Sequence, residues 1–141
     1  MSTDIIKKQK FYTLFLLVLV FTSSHIDRNV IAILIQPIKE TFLLSDTQLG
    51  FLTGVTFALF YATLAIPMAM WADRHNRRNL IALSITLWSL MTAFCGLAFQ
   101  YWQLILFRIG VGVGEAGSNP PSHSIISDLF SPEERGTAMA I

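Results

Sequence analysis

Charge is what this sequence has least of. Only 13% of its 141 residues are Asp, Glu, Lys or Arg, about half the share of a soluble domain. The shortage is organised: residues 47–72 contain no charged side chain, and neither do residues 79–107. About 20 apolar residues cross a bilayer as a helix. The first window fits one span; the second fits one span and the start of another, broken at Gln100-Tyr101-Trp102-Gln103. A water-soluble globule is excluded and an integral membrane protein follows. The net charge of +1 gives no electrostatic case for a nucleic-acid partner. The single cysteine, Cys95, excludes a disulfide framework and a cysteine metal site, and reads as a small packing residue in an apolar span. No nucleophile–base pair, paired His ligands or phosphate loop stands in a fitting context. The chain is therefore not an enzyme by this reading, and no cofactor or metal is implied. Internal repeats and low-complexity segments are absent too.

What is there reads as four helical spans, at about 11–37, 48–71, 80–99 and 102–127. Loop charge orients them. Lys7, Lys8 and Lys10 precede the first span, and Arg74, Arg77 and Arg78 join the second to the third. The first-to-second connection has only Lys39 beside Glu40 and Asp46. The positive-inside rule puts the N-terminus and the 73–78 loop in the cytoplasm. Residues 1–10 then form a cytoplasmic segment and 11–141 a helix bundle. Lysines before an apolar run also resemble a secretory signal. Here the run is followed by Thr22-Ser23-Ser24-His25 with no small-residue cleavage site, so a retained helix is expected.

Ser131-Pro132-Glu133-Glu134 is a helix-start signature: a capping serine, proline at the first helical position, and glutamate three residues on. Gly136 to Ile141 then turns apolar, as the start of a fifth span in a longer protein; a short tail helix is the plainer alternative. Gly110, Gly112, Gly114 and Gly117 crowd the fourth span, and Gly50 and Gly54 mark the second. Small residues four apart allow close helix approach, which is the packing role expected for most of them. Pro37, Pro67 and Pro120-Pro121 would kink or end helices, the last pair bending the fourth span. Gly112-Val113-Gly114-Glu115-Ala116-Gly117 fits the dinucleotide pattern G-x-G-x-x-G, but no strand precedes it and it lies within an apolar span.

Four charges interrupt these spans: Asp27 and Arg28 in the first, Arg108 and Glu115 in the fourth. Charge in the hydrocarbon is costly and normally faces a bundle interior or a wet cavity. At a rise of about 1.5 Å per residue, Asp27 lies roughly 15 Å deep, Arg108 roughly 9 Å and Glu115 roughly 20 Å. Arg108 and Glu115, seven residues apart, share a helix face and make the firmer pair. Asp27 and Arg28 diverge by about 100°, so one should face the cavity, expected to be Asp27, while the other pairs with a neighbouring helix. The plain alternative is ion pairs that only fix packing; yet desolvation makes such pairs a poor source of stability. A carboxylate in a low-dielectric cavity whose arginine partner depends on conformation suits a proton carrier. His25 and His123 are lesser candidates for a proton relay, and each also reads as a packing residue.

A second constellation is Ala69-Met70-Trp71-Ala72-Asp73-Arg74-His75-Asn76-Arg77-Arg78. It resembles the loop between helices 2 and 3 of the major facilitator superfamily, G-x-L-A-D-R-x-G-R-[RK]. Ala72, Asp73, Arg74, Arg77 and Arg78 match, while Ala69 and Asn76 replace glycines and Trp71 a leucine. Asn76 is expected to tolerate the left-handed turn of the glycine it replaces. Arg108 to Ala116 followed by Pro120-Pro121, the Asp27-Arg28 pair, and the Ser127-Asp128-Leu129-Phe130 exit with Arg135-Gly136 resemble the spinster-type branch. The resemblance implies an all-α polytopic bundle: the N-terminal four helices, and the start of a fifth, of a twelve-helix transporter whose C-terminal half is missing. It implies transport of lipids such as sphingolipids or lysophospholipids, or, from a related branch, of organic anions such as hexuronates. By resemblance Asp27, Arg28, Arg108 and Glu115 are the substrate and proton-coupling residues. Asp73, Arg74, Arg77, Arg78 and Arg135 belong to the cytoplasmic gate, with Asp73 expected to pair with Arg135. The implied partners are protons, membrane lipids and a small-molecule or lipid substrate, and the implied location is a bacterial inner membrane. A non-transporting four-helix scaffold or assembly subunit is the rival class.

Overall fold

The computed structural model describes residues 3–140, and side chains from Lys8 to Ala140. Helix α1 spans Thr3–Ile33 and α2 spans Ile35–Phe42. The first helix thus begins ahead of the expected residue 11, within the basic segment; the side chain of Lys7 lies outside the described residues. Pro37 accounts for the break at Leu34, because it has no N–H for the Ile33 carbonyl and its ring crowds that turn. Hydrogen bonds from Leu34 to Val30 (2.9 Å) and from Ile38 to Leu34 (3.0 Å) carry the chain across, giving a kink rather than an end. Leu43 ends α2 in a left-handed conformation, φ 51°.

The second span runs unbroken from Asp46 to Arg74. Ser45 and Gln48 close a reciprocal capping box at its start. Helix α3 (Asp46–Gly50) passes through one π turn at Phe51–Val55 into α4 (Thr56–Arg74). The Thr56 hydroxyl donates to the Phe51 carbonyl at 2.7 Å, satisfying the widened turn. Helix α5 (Arg77–Cys95) follows after two residues. Asn76 has φ −68° and ψ 107°, not a left-handed turn. Its side chain instead accepts from the N–H groups of Arg78 and Asn79, so asparagine replaces glycine here as a helix cap.

The fourth span is two helices, α6 (Tyr101–Ala116) and α7 (Asn119–Leu129), and α8 covers Pro132–Ala140. The expected bend is a full interruption. Pro120 and Pro121 offer no N–H to the carbonyls of Ala116 and Gly117. The chain tightens there instead: Gly117 donates to Gly114 (3.1 Å) and Ser118 to Glu115 (3.2 Å). The Ser122 hydroxyl donates to the Ser118 carbonyl at 2.7 Å.

Three helical stretches are long and apolar enough to cross a membrane: Lys8–Ile33, Asp46–Arg74 and Arg77–Cys95. They carry outward-facing Phe11, Phe15, Leu19, Ile66 and Leu83, all more than 45% exposed. An apolar outer surface of this kind suits hydrocarbon rather than water. Helix α6 is the axis of the bundle. A Cβ on Gly114 would stand 2.9 Å from Trp88, and one on Gly112 would stand 3.2 Å from the Phe57 carbonyl. Those glycines let α5 and α4 close on α6, and Trp88 is fully buried between. Gly50 and Gly54, by contrast, face open space and seat no helix among the described residues. Leucines and isoleucines from both ends complete the core: Leu14, Leu17, Ile81 and Ile126 join α1, α5 and α7, while Leu44, Leu49, Leu52 and Leu104 close the other end. The charges lie between these two clusters.

Candidate functional site

Two neighbours on α1 point to different places. Arg28 turns to α6, where its Nε donates to Glu115 Oε2 at 2.7 Å and its Nη2 bonds the same oxygen. Asp27 instead lines a cavity of about 320 Å³ together with Arg108. Thr92 and Cys95 also border it, among walls of Ile31, Leu34, Leu52 and Leu104. The structure therefore separates the four charges into an ion pair and a cavity pair. Glu115 is bonded to Arg28 rather than to Arg108, so the pairing runs between helices and not along one helix face. Sequence spacing shows which groups share a face, whereas a long α1 arginine reaches across it.

Burial is uneven within the pair. Glu115 is fully buried, while the Arg28 side chain keeps 35% of its surface exposed. Arg108 is 4% exposed. Glu115 Oε1 and Arg108 Nε have no hydrogen-bond partner among the described residues. An unpaired buried polar atom costs about 1–3 kcal/mol, and Ser84 Oγ, Trp88 Nε1 and Arg135 Nε are in the same position.

Aromatic rings support both arginines. The guanidinium carbons of Arg28 and Arg108 lie 4.9 and 5.3 Å from the Phe57 ring centroid. Arg28 is also 5.3 Å from the Tyr61 ring, which stacks on Phe57 at 5.6 Å. The Tyr61 hydroxyl accepts from Asn119 Nδ2 at 2.5 Å, at the start of α7. Phe57 and Tyr61, one turn apart on α4, form a single aromatic face, as residues four apart on a helix do. The cluster holds two carboxyl and two guanidinium groups, equal in formal charge. Protonating Glu115 would remove the charge that Arg28 neutralises and leave that arginine to find another partner.

The two histidines border a different cavity, of about 400 Å³, which none of the four charges lines. His25 Nδ1 lies 2.9 Å from the carbonyl of Phe21, a turn earlier, and His123 packs its ring 5.7 Å from that of Phe21. Both have the packing contacts of the plainer reading.

The basic end of the bundle is arranged differently from expectation. Asp73 is exposed and forms no ion pair among the described residues. Arg135 donates instead to the Ser127 carbonyl at 2.7 Å, so the expected Asp73–Arg135 pair does not form. The last carbonyls of a helix lack intrahelical donors, and α8 turns Arg135 back to satisfy one on α7. Arg77 pairs with Asp128, joining α5 to α7, while Arg74 and Arg78 are exposed. Lys10 pairs with Glu134 and lies 4.2 Å from the Phe130 ring centroid, tying α1 to α8. Lys10, with the Ser131 N–H, holds the Glu134 carboxyl below its usual range. Phe57, Tyr61, Asn119 and Asp128 were not legible as site residues. The only signal for the aromatics was their i, i+4 spacing, which any packing face shares.

Residues 17–141 match the family model of the Major Facilitator Superfamily. The chain is 38% identical over 125 residues to an MFS-type efflux pump of Mycolicibacterium smegmatis, covering 89% of this chain and 29% of that protein. It is 34% identical over 134 residues to a probable L-galactonate transporter of Escherichia coli, covering 95% of this chain and 29% of that one. Among solved structures, it superposes with TM-score 0.88 and 53% identity on a bacterial homolog of the human lysosomal transporter Spinster, in an inward-facing, unoccupied conformation. That match covers 93% of this chain and 27% of the other. The chain therefore spans under a third of the length of these relatives.

Proposed function

The chain belongs to the major facilitator superfamily, and on that footing we propose that it forms the N-terminal part of a proton-coupled secondary transporter. The observation that carries this reading is the fully buried Glu115 on Arg28, beside a nearly buried Arg108 that shares its cavity with Asp27. Transporters of this kind bind substrate near the midplane and alternate access by rocking one half against the other. Glu115 is the proton carrier: neutralising it releases Arg28, and the freed arginine can meet an anionic group on the substrate. Asp27 and Arg108 hold the substrate's polar end, with the leucine and isoleucine walls taking an apolar part. The substrate class is a lipid-like molecule or an organic anion. A relative named for L-galactonate and a structural neighbour related to Spinster support that pair of options.

The N-terminal segment and the 75–76 loop face the cytoplasm of a bacterial inner membrane in this reading, supported by Lys8, Lys10, Arg74, Arg77 and Arg78 at one end. There the Arg77–Asp128 pair serves the cytoplasmic gate together with Asp73, Arg74, Arg78 and Arg135. The test is transport by the full-length protein carrying Glu115→Gln or Asp27→Asn. Each variant should reach the membrane and lose proton-driven uptake; normal uptake with intact pH dependence removes Glu115 from the coupling, or Asp27 from the substrate site.

A further inference from the structure

We propose that Phe57 and Tyr61 are positioning residues that hold Arg28 on Glu115, and that the Tyr61–Asn119 hydrogen bond ties them to the break in the fourth span. This rests on Glu115 being the proton carrier. Arg28 must extend from α1 to a carboxylate on α6, and its side chain is one-third exposed. One ion pair does not fix a flexible, partly exposed guanidinium by itself. Two ring faces do: Phe57 at 4.9 Å and Tyr61 at 5.3 Å, stacked to 17° of parallel. A guanidinium within about 6 Å of an aromatic face is attracted by the ring quadrupole. Phe57 carries Arg108 as well, at 5.3 Å, so one ring fixes the positions of both cations near Glu115.

The tie to Asn119 makes the arrangement conformational. Asn119 is the first residue of α7, just past Gly117 and Ser118, where the fourth span loses its helical bonds. Rotation of α7 at that break moves Asn119, and through the hydroxyl moves Tyr61 under Arg28. The charged and titratable groups around Glu115 on each packed element are few. Helix α1 supplies His25, Asp27 and Arg28; α4 supplies Tyr61, with Asp73 and Arg74 at its far end; α6 supplies Arg108. Helix α5 carries Arg77, Arg78 and Cys95 only at its ends, and α7 carries His123 and Asp128. Among the described residues Arg28 is the one ion-paired to Glu115, so its placement sets the positive charge that faces the carboxylate.

The experiment is an infrared titration of the purified full-length protein, following the protonated-carboxyl stretch that Glu115→Gln removes. Phe57→Leu should move the midpoint to higher pH by about one unit, or about 1.4 kcal/mol, because Arg28 no longer holds the anion. Phe57→Trp should restore it. Tyr61→Phe and Asn119→Ala should each give a smaller upward shift, and the double variant no more than either alone. An unchanged midpoint in Phe57→Leu overturns the proposal, and so do equal shifts from Phe57→Leu and Phe57→Trp, which would reflect packing. Transport by Glu115→Gln is scored separately: intact coupling there removes the proton-carrier reading, while the titration still reports whether the rings position Arg28.

Discussion

Replacing Arg28 by glutamine should destabilise the bundle more than replacing Glu115 by glutamine. The two partners are unequally placed. Glu115 is fully buried, so without Arg28 its charge stays in a water-poor site, with Oε1 already unpartnered. Removing one member of a buried pair costs about 3–5 kcal/mol. Arg28 keeps 35% of its side chain exposed, which lets water reach the site and places the cost near the lower bound, about 3 kcal/mol. The reverse substitution leaves Arg28 charged but partly hydrated and still seated on two rings, so Glu115→Gln should cost only about 1–2 kcal/mol. The double variant should cost less than the sum, leaving a coupling of about 1.5 kcal/mol or more. Equilibrium unfolding in mixed micelles, run as a double-mutant cycle, measures all three. Equal costs for the single variants, or a coupling below about 0.5 kcal/mol, would refute the asymmetric burial on which the proton-carrier reading depends.

Helix α6 gives a packing prediction. Gly114→Ala puts a methyl 2.9 Å from Trp88 and should cost about 1–3 kcal/mol, whereas Gly54→Ala, facing open space, should be neutral or slightly stabilising; the same unfolding assay separates them. The Arg77–Asp128 pair is partly exposed, so Asp128→Asn should change stability by less than about 1 kcal/mol while altering transport if the pair serves the gate. The Lys10–Glu134 tie carries a pH prediction. The Glu134 carboxyl is held below its ordinary value of 4.5, so its contribution is present above that pH and is lost as pH falls through the lower folded value. Protection of α8 amides against hydrogen exchange, taken relative to the intrinsic rate at each pH, should therefore be flat from pH 8 to about 5 and fall below that, and Lys10→Gln should remove the step.

The membrane-spanning class was legible because charge is absent over whole spans, and no soluble core needs that. The first three spans follow from hydropathy; in the fourth only a bend was expected from the two prolines, and the loss of two consecutive N–H donors makes it a full interruption. That all four charges lie inside helices was legible too, because each interrupts a long apolar run. Their pairing was not. Residues on one helix face share a direction, but Arg28 reaches Glu115 from another helix. The same holds at the basic end, where Arg135 met a free helix-terminal carbonyl in place of Asp73. Asn76 shows a chemical ambiguity: asparagine suits both a left-handed turn and a helix cap, and only the backbone decides. Phe57 and Tyr61 were hidden because an aromatic pair looks identical whether it packs against leucine or under a guanidinium.

The most direct test of the central claim is uptake driven by an imposed pH gradient, in vesicles containing the full-length protein and its Glu115→Gln variant. A lysophospholipid and a hexuronate would each be offered as substrate. The expected result is accumulation by the parent protein that collapses in the variant, while exchange at equal pH persists. Gradient-driven accumulation undiminished in Glu115→Gln would contradict the assignment of the proton to this buried carboxylate.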